Sequence, residues 1–68
     1  MPSTVIRRFS YDAHSQRLVI EFLSGRRYAY IDVPPDVYSA MRRAHSRGSY
    51  FNACIRDRYS HERLEDQA

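Results

Sequence analysis

Alternating apolar and polar positions in the first half of the chain predict three short β-strands. Residues 5–11, 18–22 and 26–33 are rich in β-branched and aromatic side chains, a composition typical of a pleated, half-buried surface. Turn-forming residues at 12–15 separate the first two segments. Pro34-Pro35 ends the third segment, because proline has no N–H to donate to a strand ladder. The pattern therefore predicts a three-stranded antiparallel meander.

The turn around Gly25 decides which side chains form the core, because a shift of one residue moves every side chain to the opposite face. A two-residue turn needs positive φ at both positions, whereas a three-residue loop of residues 23–25 needs it only at the glycine. We favour the three-residue loop. The shorter turn would move both tyrosines of the third strand to the open face. The favoured register gives one apolar face on the core side, formed by Leu18, Ile20, Phe22, Tyr28 and Tyr30.

Two helices are predicted after the prolines. Pro35 suits the first turn of a helix, and Asp36 lies near its positive end. Val37, Met41 and Ala44 then recur at spacings of four and three, which gives an apolar stripe for the sheet.

The ends of these helices are predicted from glycine and serine. Gly48 is expected to end the first helix in a left-handed conformation, and Ser49 is expected to cap a second helix over residues 50–58. Phe51, Cys54 and Ile55 would form its buried side. The predicted fold class is α+β, in the order β-β-β-α-α, with both helices on one face of the sheet.

The chain length allows one domain. Sixty-eight residues bury only about 60% of the surface that the unfolded chain exposes, so a single domain over residues 1–68 is expected. Its core would span about residues 5–59, followed by a polar tail over residues 60–68. No apolar run approaches the roughly 20 residues that cross a bilayer, and the first residues lack the apolar block of a secretory signal. A cytoplasmic protein without a membrane partner is therefore predicted.

The charge is unevenly distributed along the chain. Residues 1–61 hold ten arginines and five acidic residues, a net charge of +5, whereas residues 62–68 carry a net charge of −2. Every basic residue is arginine, whose planar fork matches phosphate geometry. An excess of positive charge favours association with polyanions, so the composition points towards nucleic acid.

The sequence gives little indication of a catalytic or metal-binding site. Cys54 is the only cysteine, so neither an internal disulfide nor a thiolate zinc cluster is expected. The three histidines share no metal-ligand spacing, and no serine, histidine and acid can be assigned to one pocket. The sequence therefore predicts a non-catalytic protein with no metal and no cofactor.

The order of several motifs resembles the KTSC domain family. Tyr28-Ala29-Tyr30 is followed by Val33-Pro34, then by the segment from Ser46 to Asn52 and by Ile55-Arg56. The similarity runs from about residue 5 to residue 59. This family is named for its place at the C-terminus of some lysyl-tRNA synthetases, and it also occurs as stand-alone bacterial proteins. The resemblance implies a domain of unknown function for which RNA binding is proposed, and it assigns no catalytic residue.

Candidate nucleic-acid-binding residues combine arginines with aromatic rings on which bases stack. A purely structural interpretation remains open. In it, the tyrosines belong to the core and the arginines lie at solvated helix ends. Free N–H groups at a helix start also bind anions. The candidate residues are Arg26, Arg27, Tyr28, Tyr30, Arg42, Arg43, Arg47 and Arg56, with Gly48, Ser49 and Tyr50 as the anion-binding helix start.

Two functions follow from the sequence. The first is binding of RNA or another nucleic acid through an arginine-rich surface. The alternative is a protein-interaction module, including a homodimer, that uses an edge strand or the outer sheet face. A continuous apolar patch on that face would favour a protein partner, and a continuous arginine surface would favour nucleic acid. The predicted outer-face residues are Arg17, Val19, Glu21, Arg27, Ala29 and Ile31.

Overall fold

Four antiparallel strands and two helices make up the part of the chain, residues 5–64, that the computed structural model describes. Strands that follow one another in sequence are neighbours in the sheet, in the order β1-β2-β3-β4. The α+β class is confirmed, and the fourth strand adds to the predicted meander. The elements are β1 (Ile6–Asp12), β2 (Arg17–Phe22), β3 (Arg27–Tyr30), α1 (Pro35–Arg43), α2 (Arg47–Cys54) and β4 (His61–Leu64).

The β2–β3 hairpin has the predicted register. Leu18 lies opposite Tyr30 and Ile20 opposite Tyr28. The Gly25 N–H donates to the Phe22 carbonyl at 2.9 Å, and Gly25 has a φ of +97°, which favours glycine. The three-residue loop is therefore confirmed, and both tyrosines lie on the face that the helices cover.

Phe51 of α2 is the centre of the packing between helices and sheet. Its ring is 1% exposed and contacts Phe22 edge to face at 5.5 Å and Tyr30 at 5.3 Å between ring centroids. Met41 enters the same cluster from α1. The fully buried cluster consists of Leu18, Ile20, Tyr30, Val33, Met41, Phe51 and Ile55.

The helix ends differ from the prediction at Gly48 and Ser49. Helix α1 ends at Arg43, and Ala44 is already extended. The cap of α2 is Ser46, whose hydroxyl accepts the Ser49 N–H at 3.2 Å. Gly48 therefore lies inside α2 and does not end α1. The reason is that a serine oxygen three residues before an unpaired N–H has the geometry of an N-cap, so Ser46 starts the helix earlier than expected.

The end of α2 also differs from the prediction, since the helix stops at Cys54 and residues 55–58 form turns. Phe51 and Ile55 are buried as expected, whereas Cys54 is half-buried.

The predicted polar tail contains the fourth strand. In β4, Glu62 lies opposite Ala29 and Arg63 lies opposite Tyr28. Arg17 of β2 and Glu62 form an ion pair of 3.0 Å that crosses β3, where Ala29 is fully buried. Ala29 was expected on an open face, and its small side chain is covered because strands flank it on both sides. Residues 65–68 of the predicted tail lie outside the described residues.

Burial of Tyr30 predicts a loss of stability in alkali. Burial raises the pKa of the Tyr30 phenol above its usual value of 10.0, and the Tyr28 and Asp57 charges raise it further against the opposing effect of Arg56. The unfolded chain releases this proton first, so the contribution of the neutral phenol is complete below the ordinary pKa. It is lost as pH rises towards the raised pKa of the folded state.

We expect urea unfolding to show a lower free energy at about pH 11 than at about pH 8, with a smaller difference in Tyr30→Phe. The chain has no lysine, so no lysine side chain titrates between these two pH values. An equal pH dependence in Tyr30→Phe and the parent would contradict the prediction.

Candidate nucleic-acid interface

The structure brings together only part of the predicted site. Arg42 and Arg43 lie in the last turn of α1, and Arg47 is the first residue of α2, four positions after Arg43. These three exposed arginines form what we call the basic corner. Arg26 lies instead next to the β2–β3 loop, and Arg56 lies beyond the end of α2.

No acidic side chain of the described residues forms an ion pair with the basic corner. The two ion pairs between residues 5 and 64 join Arg8 to Glu21 and Arg17 to Glu62, so they do not involve the corner. Cations in the last turn of a helix also interact favourably with its negative end, which stabilises Arg42 and Arg43 in this position.

Two of the corner arginines are held over aromatic rings. The guanidinium carbon of Arg42 lies 5.9 Å from the ring centroid of Tyr38, and that of Arg47 lies 5.6 Å from the centroid of Phe9. These distances are within the range of cation–π attraction. Phe9 and Tyr38 also contact each other edge to face at 5.9 Å. This attraction restricts the motion of the two guanidinium groups.

The aromatic rings are anchored to the rest of the fold by Tyr11. Its ring stacks on Tyr38 at 4.5 Å between centroids, and its hydroxyl donates to the Val33 carbonyl at 2.6 Å. Burial raises the pKa of the Tyr11 phenol, and the carboxylates of Asp12 and Asp36 raise it further, so the hydroxyl remains a donor at neutral pH. We call Phe9, Tyr11 and Tyr38 the aromatic row.

Sequence reasoning missed the aromatic row. Phe9 and Tyr11 lie on β1, and Tyr38 lies on α1. Tyr38 neighbours the apolar stripe predicted for the helix, but no spacing in the sequence relates it to two residues that precede it by more than 25 positions. The contact depends on how α1 lies across the sheet.

The two tyrosines that were predicted to stack on bases pack instead against other aromatic side chains of the protein. Tyr30 is 4% exposed and contacts Phe51, which leaves no free ring face for a base. Tyr28 is half-buried and contacts Phe22 and His61 edge to face at 6.0 and 5.6 Å. Both tyrosines therefore have the structural role that the favoured register implied.

At the predicted anion site of Gly48, Ser49 and Tyr50, two of the three backbone N–H groups already donate to acceptors within the protein. The Ser49 N–H is bound to the Ser46 hydroxyl, and the Tyr50 N–H donates to the Ser46 carbonyl at 3.0 Å. These groups are therefore not available to an anion.

The outer sheet face, which the helices leave open, is polar. Arg27 and Val19 are half-buried there, and both ion pairs lie on this face. The large hydrophobic residues that are exposed between residues 5 and 64 are Val5 and Leu23, whose backbones are joined by a hydrogen bond near the hairpin loop. The continuous apolar patch that would favour a protein partner is not present on the described outer face.

Residues 5–64 show neither a membrane-spanning helix nor a metal-binding cluster. They contain no helix with the length and hydrophobicity needed to span a bilayer. They also contain no group of three or more histidine, cysteine or acidic side chains placed to hold a metal ion.

The architecture defines a class of small α+β domains in which two helices cover one face of an antiparallel sheet. Residues 2–59 match the model of the KTSC domain. The chain therefore belongs to the KTSC domain family, which confirms the resemblance seen in the sequence.

Relatives of two kinds share this similarity. The chain is 43% identical over 61 residues to a lysine–tRNA ligase of Nostoc punctiforme, and the match covers 90% of the chain and 11% of the ligase. It is 37% identical over 59 residues to an uncharacterised protein of Stutzerimonas stutzeri, covering 87% of the chain and 83% of that protein. The chain thus spans about a tenth of the ligase and most of the smaller relative.

A solved structure has the same fold. The crystal structure of a KTSC domain protein from Yersinia pestis superposes with a TM-score of 0.87 at 25% sequence identity. The match covers 96% of this chain and 92% of the other.

Proposed function

We propose that this KTSC domain is a non-catalytic RNA-binding module that uses the basic corner. The observation that carries the proposal is the arrangement of Arg42, Arg43 and Arg47, three exposed guanidinium groups at the junction of two helices, two of them held over aromatic rings. Guanidinium groups bind phosphate oxygens through paired N–H donors, and the rings lower the entropy that is lost when these groups bind.

The similarity to a lysine–tRNA ligase supports RNA as the polyanion. That relative's name assigns it an activity on tRNA, and the segment shared with this chain is 11% of its length. A small basic domain in such a protein is well suited to increase the affinity for RNA, because linked binding sites raise the local concentration of their ligand.

The geometry favours recognition of the RNA backbone over recognition of bases. Guanidinium groups lie over the rings of Phe9 and Tyr38, so these faces are occupied, and the N–H edges of the arginines are the available groups. Phosphate contacts fix position and carry little sequence information. We therefore propose binding with weak sequence preference.

Titration of fluorescent single-stranded RNA, with duplex DNA in parallel, tests the proposed function. Each neutralised phosphate contributes about 0.7 to the salt slope for a single strand, so three corner contacts predict a slope of about −2 in log K against log salt. Measurements at about 50 mM and about 200 mM salt determine it. Absence of RNA binding at the lower salt concentration would overturn the proposal.

Substitution of Tyr38 distinguishes backbone contact from base stacking. If the ring positions Arg42, Tyr38→Leu removes about 0.5–1 kcal/mol of cation–π attraction and weakens RNA binding by a factor of about 2 to 5, equally for different homopolymers. Loss of a base stack would instead cost about 1–3 kcal/mol per base and would depend on the base. Fluorescence anisotropy with oligo(U) and oligo(A) measures both, and a base-dependent loss would contradict the backbone mode.

A further inference from the structure

The outer face of the sheet contains a concave surface that is separate from the basic corner. It has a volume of about 470 Å³ and is lined by side chains of β1, β2 and β3, whereas the corner lies on the helices that cover the opposite face. Such a volume is within the range of about 300–1,000 Å³ that is typical of small-molecule sites. Its lining includes Arg7, Arg8, Ser10, Val19, Glu21 and Arg27.

A β-bulge brings two consecutive arginines to this surface. Ile6 pairs with Phe22 and Arg8 pairs with Glu21, so Arg7 is an extra residue in β1. Consecutive side chains of a regular strand point to opposite faces, but at this bulge Arg7 and Arg8 both lie opposite Glu21. Both are lining residues of the concave surface, together with Phe9 and Ser10 from the same strand. Bulges change the direction of side chains in this way and are common beside functional sites.

The charge of the surface is strongly positive. Arg8, Glu21 and Arg27 form a row across three strands, in which Glu21 is paired with both arginines in the sheet register. The Arg8 Nε lies 3.4 Å from a Glu21 carboxylate oxygen. With Arg7 added, three arginines and one glutamate share the lining, which has a net charge of +2.

Glu21 places a carboxylate between two of these arginines in the sheet. Its side chain is 21% exposed, whereas that of Arg8 is 70% exposed. The carboxylate is therefore fixed in the sheet and reduces the repulsion between Arg8 and Arg27. Because one carboxylate does not neutralise three cations, the remaining charge and N–H donors are available to an anion with several oxygen atoms.

We propose that this outer-face concave surface binds the phosphate group of a small phosphorylated molecule about the size of a mononucleotide. Arg7 and Arg27 supply paired N–H donors to the phosphate oxygens, as guanidinium groups do in other phosphate sites, and Ser10 lies on the same lining. The volume exceeds that of a phosphate ion and leaves room for the group that carries it. This site is independent of the proposed RNA function.

NMR titration of the full chain tests the site, with Arg Nε–H and backbone amide signals as the readout. Three probes are used separately: inorganic phosphate, ribose 5-phosphate and uridine 5′-monophosphate. We expect saturable shifts at Arg7, Arg27 and Val19 for all three. Tighter binding of an organic phosphate than of inorganic phosphate would identify a phosphorylated metabolite as the ligand class, and equal affinities would identify free phosphate.

Matched variants separate this site from the basic corner. Arg7→Gln with Arg27→Gln should weaken phosphate binding by a factor of about 10 or more, whereas Arg42→Gln with Arg43→Gln removes the same charge and should leave it unchanged. Arg7→Gln alone, at an exposed position, guards against misfolding and should also weaken binding.

Equal losses of outer-face binding in the two double variants, or the absence of saturable shifts at Arg7, Arg27 and Val19, would overturn the proposal. In the RNA titration, the loss of affinity in Arg42→Gln with Arg43→Gln reports on the corner, and the loss in Arg7→Gln with Arg27→Gln reports on the outer face. Failure of either function therefore leaves the other to be judged on its own result.

Discussion

Replacing Phe51 by alanine is expected to unfold most of the domain. Large-to-small changes of a buried phenylalanine cost about 3–5 kcal/mol, because transfer energy is lost and a cavity remains. A core of this size supplies only about 3–5 kcal/mol in total. The Phe51 ring contacts Phe22 and Tyr30, so its removal separates α2 from two strands at once.

Urea unfolding followed by circular dichroism measures this effect. The control is Leu23→Ala, which removes a large apolar side chain at a position that is 65% exposed and should change the free energy of unfolding by less than about 0.5 kcal/mol. If Phe51→Ala still unfolds cooperatively and its free energy of unfolding is less than about 1 kcal/mol below that of the parent, Phe51 is not the centre of the core.

Reversing the charge of the basic corner is expected to abolish RNA binding. Arg42→Glu with Arg43→Glu replaces two phosphate-binding groups by two that repel phosphate. Charge-assisted hydrogen bonds are each worth about 1.5–3 kcal/mol, so affinity at low salt should fall by a factor of about 100 or more. Both side chains are exposed, so no charge is buried, although each glutamate costs about 0.3–1 kcal/mol at the negative end of α1. Circular dichroism of the variant checks that it is folded.

The control for this experiment is Arg56→Glu with Arg58→Glu, which produces the same net charge away from the basic corner. Arg56 and Arg58 are exposed and follow the end of α2. The control should weaken RNA binding by a factor of about 10 or less, through long-range electrostatics alone. If both double variants lose affinity equally, binding follows net charge, and the corner is not the RNA site.

Much of the sheet could be predicted from local chemistry. The conformational freedom of Gly25 selects the three-residue loop, and that loop sets the register that buries Leu18, Ile20 and Tyr30. Alternation then assigns every side chain of the hairpin to a face. These features follow from neighbouring residues, which is why the sequence pattern was sufficient.

The fourth strand could not be predicted from the pattern of apolar residues. The β4 segment His-Glu-Arg-Leu has no apolar alternation, because its pairing rests on backbone hydrogen bonds to β3 and on the Arg17–Glu62 ion pair. Backbone hydrogen bonds and ion pairs leave no signal in the spacing of hydrophobic residues. The cap of α2 was missed for a different reason, since Ser46 and Ser49 are both acceptable capping residues and only the path of residues 44–46 selects the first.

The candidate site was predicted only in part. The three arginines of the basic corner were identified by their place at the predicted helix ends. The aromatic row and the outer-face concave surface were not, because the first depends on how α1 packs against β1 and the second depends on a bulge at Arg7.

The bulged strand β1 is also an outer edge of the sheet. Unpaired N–H and C=O groups on such an edge can recruit a second copy of the chain and start aggregation. An approaching identical strand would bring its own Arg7 and Arg8 against those already present, and the bulge would interrupt its ladder. The same two arginines that line the concave surface are therefore expected to oppose the addition of a second copy at this edge.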